Sequence, residues 1–213
     1  MAARPTRESI ADAAESIFGE QGFASASLRQ ITDRAGANLA AVNYYFRSKE
    51  DLYREVLFRR LRAINAERLT LLTQAEQLAG DHPVPLRAIF DTLIRPWLPR
   101  AGAPGPGGTP SLRLVSRELM EPQPFLQAEL AREFEPLAAR YGQALGQCLP
   151  GLPPAELGWR LQFCLGALHA AAIRWPELQR LAPGPDSAPG REDLARRLID
   201  WCAAGLAAPR APA

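Results

Sequence analysis

Between Ser27 and Lys49 the chain gathers side chains that can hold a polyanion. Arg29, Arg34, Arg47 and Lys49 are opposed in that span by Asp33 alone. Ser27 stands where a helix would begin. Asn43 carries an amide able to make a paired contact with an adenine edge. Tyr44 and Tyr45 can reach phosphates or thymine methyls. Small residues at Ala40 and Ala41, beside Leu39, would let a helix approach base edges closely. The chemistry implied is noncovalent recognition of duplex DNA. Taken singly, each residue has a plainer reading: Arg29 and Arg47 as solvated surface charges, Tyr44 as core, Lys49 as decoration at a helix start.

Nothing comparable points to catalysis. Cys148, Cys164 and Cys202 are odd in number and widely spaced, with no C-x-x-C, and read as inert buried thiols. His82 and His169 lack a metal-ligand spacing. No G-x-S-x-G, G-x-x-x-x-G-K-[ST] or H-E-x-x-H sequence occurs. The expectation is a protein with no catalytic residues, no metal site and no cofactor.

The elements that must position these side chains read as helices throughout. Apolar residues recur at helical spacing from Thr6 to a stop at Gly22. Ser27 and Gln30 fit a capping box for a short second helix ending at Ala35-Gly36, and Asn38 caps a third over Leu39–Phe46. Ser48 with Asp51 opens a fourth that runs to Ala79. Further helices are expected at Val84–Leu98, Ser111–Met120, Pro124–Leu149, Pro154–Leu181 (kinked or ended early by Pro176) and Arg191–Ala208. Gly/Pro-rich segments at Pro99–Pro110, Pro150–Pro154 and Ala182–Gly190 separate them, and Pro209–Ala213 reads as a frayed tail. The fold class is all-α. Residues 1–50 form a three-helix unit, residues 51–79 a connecting helix and residues 80–213 a larger helical domain.

The whole-chain numbers fit this layout. With 213 residues, 47% of them hydrophobic, the chain can bury a core and is not disordered throughout. It has no run of about 18 uncharged apolar residues, and its start reaches charge at once without an apolar stretch. A cytoplasmic protein that keeps clear of membranes is expected. The net charge of +2 says little about DNA, because residues 1–60 are nearly balanced too. Affinity must rest on where the cations stand.

The two short helices joined through Gly36 have the layout of a helix-turn-helix. The segments Leu28-Arg-Gln-Ile-Thr32, Ala35-Gly36, Val42-Asn-Tyr-Tyr-Phe46 and Ser48-Lys-Glu-Asp-Leu52 resemble the DNA-binding region of TetR/AcrR-family transcriptional regulators. The likeness covers residues 6–56. Asn38-Leu-Ala-Ala-Val-Asn-Tyr-Tyr-Phe46 is most similar to a PsrA-like, fatty-acid-responsive subgroup. The resemblance implies that Ser27, Arg29, Tyr44, Tyr45 and Lys49 touch DNA backbone or bases, Ser27 holding a phosphate by its hydroxyl and its backbone N–H with help from the helix dipole. Leu39, Ala40, Ala41 and Asn43 would form the rest of the reading face of recognition helix 39–45. Family members commonly have Gly at position 40 and Tyr at position 43, so Ala40 and Asn43 imply an operator preference of this chain's own. Arg4 and Arg7 fit either an arm on the DNA backbone or a disordered tail.

The resemblance further implies a homodimer that binds a palindromic double-stranded operator and is released by a small hydrophobic, fatty-acid-like effector. Leu165, Leu168, Leu194, Leu198 and Trp201, on two strongly apolar helices, are the expected dimer seam, with ordinary monomer core as the alternative. A pocket is expected among Phe90, Leu93, Ile94, Trp97, Leu114, Arg117, Tyr141, Phe163 and His169, although many of these also read as core. Arg95, Arg117 and Arg174 could each pair a ligand carboxylate or an acidic neighbour. Alternatives to a repressor are an activator on the same fold, or a helical lipid-binding protein with a vestigial helix-turn-helix.

Overall fold

The computed structural model describes residues 6–98, 110–181 and 190–209, and in these it is helical with no strand. The helices are α1 (Arg7–Ser25), α2 (Leu28–Ala35), α3 (Leu39–Phe46), α4 (Lys49–Ala79), α5 (Leu86–Ile94), α6 (Pro110–Met120), α7 (Gln127–Cys148), α8 (Pro154–Leu181) and α9 (Arg191–Ala207). The segment at 99–109, the linker at 182–189, the tail at 210–213 and Arg4 lie outside the described residues.

The first three helices are closed off by their own sequence. Thr6 and Ser9 form a capping box at the start of α1, and Ser27 and Gln30 form one at the start of α2. Helical backbone in α1 breaks at Gly22 (φ 80°, ψ 170°), where the sequence predicts a stop, although helical turns resume to Ser25. The break turns Phe23 onto Phe18 and Tyr53, with ring centroids 6.2 and 4.9 Å away. At the end of α2, Gly36 is left-handed (φ 61°, ψ 31°), which only glycine adopts without a Cβ penalty. Its N–H and that of Ala37 return to the carbonyls of Asp33 and Thr32, closing the end as a Schellman motif.

An eight-residue helix such as α3 has little stability of its own. Val42 and Phe46 anchor it at 0% and 3% exposure, each burial contributing about 1.5–3 kcal/mol. The Asn38 side chain accepts from the Ala41 N–H at 2.9 Å and adds about 1 kcal/mol as a cap. Long α4 carries the apolar stripe Leu61, Ile64 and Leu72 into one continuous core shared with α1, α5 and α6. α6 packs along α1, α5 along α9 and α8 against α6 and α9.

One expectation is corrected and one is met. The helix after Val84 is shorter than expected: it begins after Pro85 and gives way to a 3-10 turn at Arg95–Trp97, where Pro96 lacks the N–H that an α-helical bond needs. α8 spans Pro154–Leu181, the bounds expected, and does not end early at position 176. Among the described residues no helix is long and apolar enough to cross a membrane.

Candidate nucleic-acid interface

Because Val42 and Phe46 point inward, the opposite face of α3 is left to solvent. Leu39 is 52% exposed and Tyr44 81%; Ala40, Asn43 and Tyr45 are exposed and Ala41 is half-buried. The Tyr44 and Tyr45 rings meet edge to face at 5.0 Å, which fixes both at the C-terminal end of this face. No side-chain hydrogen bond holds Asn43 among the described residues, so both ends of its amide remain available.

The cations around α3 divide into two groups. Arg34 is spent on α1, its Nη1 donating to Glu20 Oε1 and Ser16 Oγ, each at 2.9 Å. Arg34 in turn holds the Glu20 carboxyl below its usual range. Arg7 pairs with Glu55 and lies over the Phe46 ring, so it braces α1 against α3 and α4. Arg29 and Arg47 are exposed, and no carboxylate among the described residues pairs with them. Lys49 places its ammonium 4.5 Å from the Phe23 ring centroid, and burial pulls its pKa down. This is a seated cation rather than a freely swinging one.

Ser27 caps α2 together with Gln30, as the sequence predicts, and its own donors are engaged there. Its backbone N–H donates to Gln30 Oε1 at 2.8 Å, and its hydroxyl donates to the same oxygen at 2.9 Å. Both groups assigned to phosphate are thus used in the capping box. The N–H groups of Leu28 and Arg29, in the first turn, are the ones with no helical acceptor.

Arg47 joins α3 to α4 with an unusual backbone, φ 61° and ψ −47°. The Ser48 N–H donates to the Phe46 carbonyl at 2.6 Å, two residues back, so Arg47 is the centre of a γ-turn of the strained hand. That turn lets α4 leave α3 abruptly, with Ser48 capping its first turn at Asp51. Nothing in the composition of this segment signals it.

A cavity of about 290 Å³ lies between α4, α5, α6, α7 and α8. Of the residues expected there, Leu93, Tyr141 and His169 line it. Phe90, Ile94, Trp97 and Leu114 are fully buried in the core instead. Phe163 is 62% exposed, because it points off the opposite side of α8. Arg117 is also exposed: it reaches α1, where its Nη2 meets the Glu20 carbonyl at 3.5 Å. Arg95 is held by Asp91 and Glu192 at 2.7 Å each, and Arg174 by Glu177. The arginine that does line the cavity, Arg68, was missed. Its signal was available, since it falls in the buried stripe Leu61, Ile64, Arg68, Leu72 at helical spacing.

α8 and α9 pair antiparallel, with Arg160 reaching the carbonyls of Leu206 and Ala208 and Cys164 beside Cys202. Leu168 is core of its own chain at 1% exposure, Leu165 lines the cavity, and Leu194 and Leu198 are half-buried. Among the described residues of these two helices, the large apolar groups left outside are Trp201 at 55% and, on α8, Trp159 at 64% with Phe163.

Comparison with known proteins agrees with this geometry. The model for bacterial regulatory proteins of the tetR family matches residues 10–56. The model for the tetracyclin repressor-like C-terminal domain matches residues 91–205, more than half the chain. The helix-turn-helix transcriptional regulator AcrR of Shigella flexneri is 36% identical over 92 residues, 43% of this chain and 40% of that protein. The transcriptional dual regulator CecR of the same organism is 49% identical over 47 residues, 22% of this chain and 21% of that protein. The chain thus spans about two fifths of AcrR and one fifth of CecR in these matches. The TetR-family regulator PfmR of Thermus thermophilus shares the fold, with a TM-score of 0.63 at 18% identity over 92% of this chain and 98% of that one. The chain belongs to the TetR family of DNA-binding transcriptional regulators, which are not enzymes.

Proposed function

We propose that the protein is a cytoplasmic, dimeric, ligand-responsive repressor that reads a palindromic operator with α3 and leaves it when a small amphiphile fills the α4–α8 cavity. In this reading residues 1–50 bind DNA, residues 51–79 connect, and residues 80–213 bind effector and dimerise. The observation that carries it is the free face of α3. Leu39, Ala40, Asn43, Tyr44 and Tyr45 stand clear of the core, flanked by the unpaired Arg29 and Arg47. A vestigial helix-turn-helix in a lipid carrier gives no account of a solvent-facing Asn43, Tyr44 and Tyr45 flanked by unpaired cations.

Dimerisation follows from two needs. One eight-residue helix reads one half-site, whereas a two-fold operator presents half-sites about 34 Å apart. The exposed aromatic group Trp159, Phe163 and Trp201 on the α8–α9 pair is the apolar surface available for a two-fold mate. Release requires that the effector bind the two states of the dimer with different affinity.

Activation on the same fold is a second reading, favoured by the likeness of a 47-residue stretch of the chain to CecR, a dual regulator. Fluorescence anisotropy of labelled duplexes across a salt series tests DNA binding itself. The expected result is an affinity that falls steeply with salt. A salt-insensitive or absent interaction refutes the proposal. Placing a selected operator over or upstream of a promoter then separates repression from activation.

A further inference from the structure

We propose that the effector is an anion, a carboxylate carrying a compact apolar tail, and that Arg68 is the residue that pairs its charge. This inference rests on the reading of the α4–α8 cavity as the effector site and deepens it.

Arg68 projects from the middle of α4 and is 2% exposed. Its Nε donates to the Leu93 carbonyl at 2.9 Å, and its guanidinium lies 4.9 Å from the Trp97 ring centroid. Its Nη2 is buried with no hydrogen-bond partner. Among the described residues no carboxylate pairs with it, and Tyr141 is the one ionisable neighbour that favours its charge. Burial accordingly draws its pKa down to about 10, still leaving a cation at neutral pH.

Buried guanidinium groups are ordinarily paired, because an isolated charge in a low-dielectric interior costs several kcal/mol. Here the partner is missing, and the empty space beside the charge is walled by Leu93, Phe134, Leu137, Leu161 and Leu165. His169, in the same wall, adds a second buried polar atom, since its Nδ1 has no hydrogen-bond partner. Its ring packs edge-on against Trp97 at 4.7 Å, and burial with repulsion from Arg68 keeps it neutral. A carboxylate seated between them would accept from Arg68 and from the Nδ1–H tautomer of His169 while its tail took the apolar wall. The volume, about 290 Å³, lies at the small end of ligand sites and calls for a compact molecule.

The placement also supplies a route to the DNA. Arg68 and Lys49 are on one continuous helix, about 28 Å apart along its axis. An anion that binds Arg68 therefore acts on the element that begins at the end of α3.

Three probes separate charge from tail: octanoate has both, octanamide only the tail, acetate only the charge. Calorimetric titration of the full-length protein should show octanoate binding at least about ten-fold tighter than either of the others. In Arg68→Met the octanoate-to-octanamide preference should fall to within about two-fold. Arg68→Gln, which keeps a donor for Leu93, should do the same and serves if the Met variant does not fold. Octanamide or acetate binding as tightly as octanoate overturns the inference, as does a preference that survives in both variants or no octanoate binding at all. Anisotropy on the same preparations keeps the two claims apart. Protein that binds DNA without a charge preference in its cavity sinks only the anion inference, whereas protein that binds octanoate but no DNA sinks the regulator reading.

Discussion

Tyr53 Oη donates to Glu118 Oε2 at 2.8 Å in the interior between α4 and α6, and the other carboxyl oxygen accepts the Gln123 N–H at 2.7 Å. Burial pushes both acids up, Glu118 above the usual carboxylate range and Tyr53 above the usual phenol range. The bond ties the DNA-proximal end of α4 to the helix that packs along α1. Tyr53→Phe removes the donor and leaves a buried carboxyl oxygen short of a partner. The expected loss is about 1–3 kcal/mol, read as a lower urea midpoint with an unchanged m-value.

Arg47 is the clearest case of stability set against binding. A left-handed γ-turn strains any residue with a Cβ, so Arg47→Gly should raise unfolding free energy by about 1 kcal/mol, the relieved strain outweighing glycine's larger unfolded-state entropy. The same change removes an unpaired cation beside α3. Affinity for every duplex should drop, and the salt slope should shrink by about one. Chemical denaturation and salt-dependent anisotropy read the two effects separately. A variant that loses stability would show that the turn is not strained.

His169 gives a pH signature. An unfolded histidine titrates near 6.5, whereas burial, reinforced by Arg68, draws the folded group down to about 4. Between those values the unfolded chain takes up a proton that the folded chain refuses. The contribution is fully present above about pH 6.5, is lost as pH falls toward 4 and then levels off, a swing of about 3 kcal/mol. Between pH 7.5 and 4 the unfolding free energy of wild type should fall by about 3 kcal/mol more than that of His169→Gln. Parallel curves would contradict the assignment.

The α8–α9 surface predicts an oligomer. Replacing exposed Trp201 and Phe163 by Asp removes apolar area from the proposed seam without opening a cavity, since both are more than half exposed in the chain itself. Sedimentation should change from dimer to monomer at micromolar concentration, with helicity by circular dichroism retained. A dimer that persists would move the seam elsewhere.

The helices of the DNA-reading unit were legible because their ends are written locally: Ser27 with Gln30, Asn38 with Ala41, Ser48 with Asp51, and Gly36. The free face of α3 was legible too, since Val42 and Phe46 one turn apart fix which way the helix turns. The rest depends on tertiary partners that periodicity does not name. Lys49 on Phe23, Arg34 on Glu20 and Arg117 on α1 each join residues far apart in the chain. Apolar spacing on α8 does not say which stripe meets α6 and α9, so Phe163 was assigned inward and stands outside. Arg68 was overlooked for the opposite reason: an arginine in an apolar stripe is read as a flaw in the pattern until the cavity beside it is seen.

The most direct test of DNA reading by α3 is selection of duplexes by the full-length protein from a random pool, at fixed salt, with Asn43→Ala and Lys49→Met run in parallel. A two-fold motif with half-sites about one helical turn apart should emerge. Asn43→Ala should relax preference at one position in each half-site, worth about 1–3 kcal/mol, while Lys49→Met, which keeps an apolar contact with Phe23, should weaken all sequences alike. A pool that stays random, or a motif unchanged by Asn43→Ala, would contradict the account.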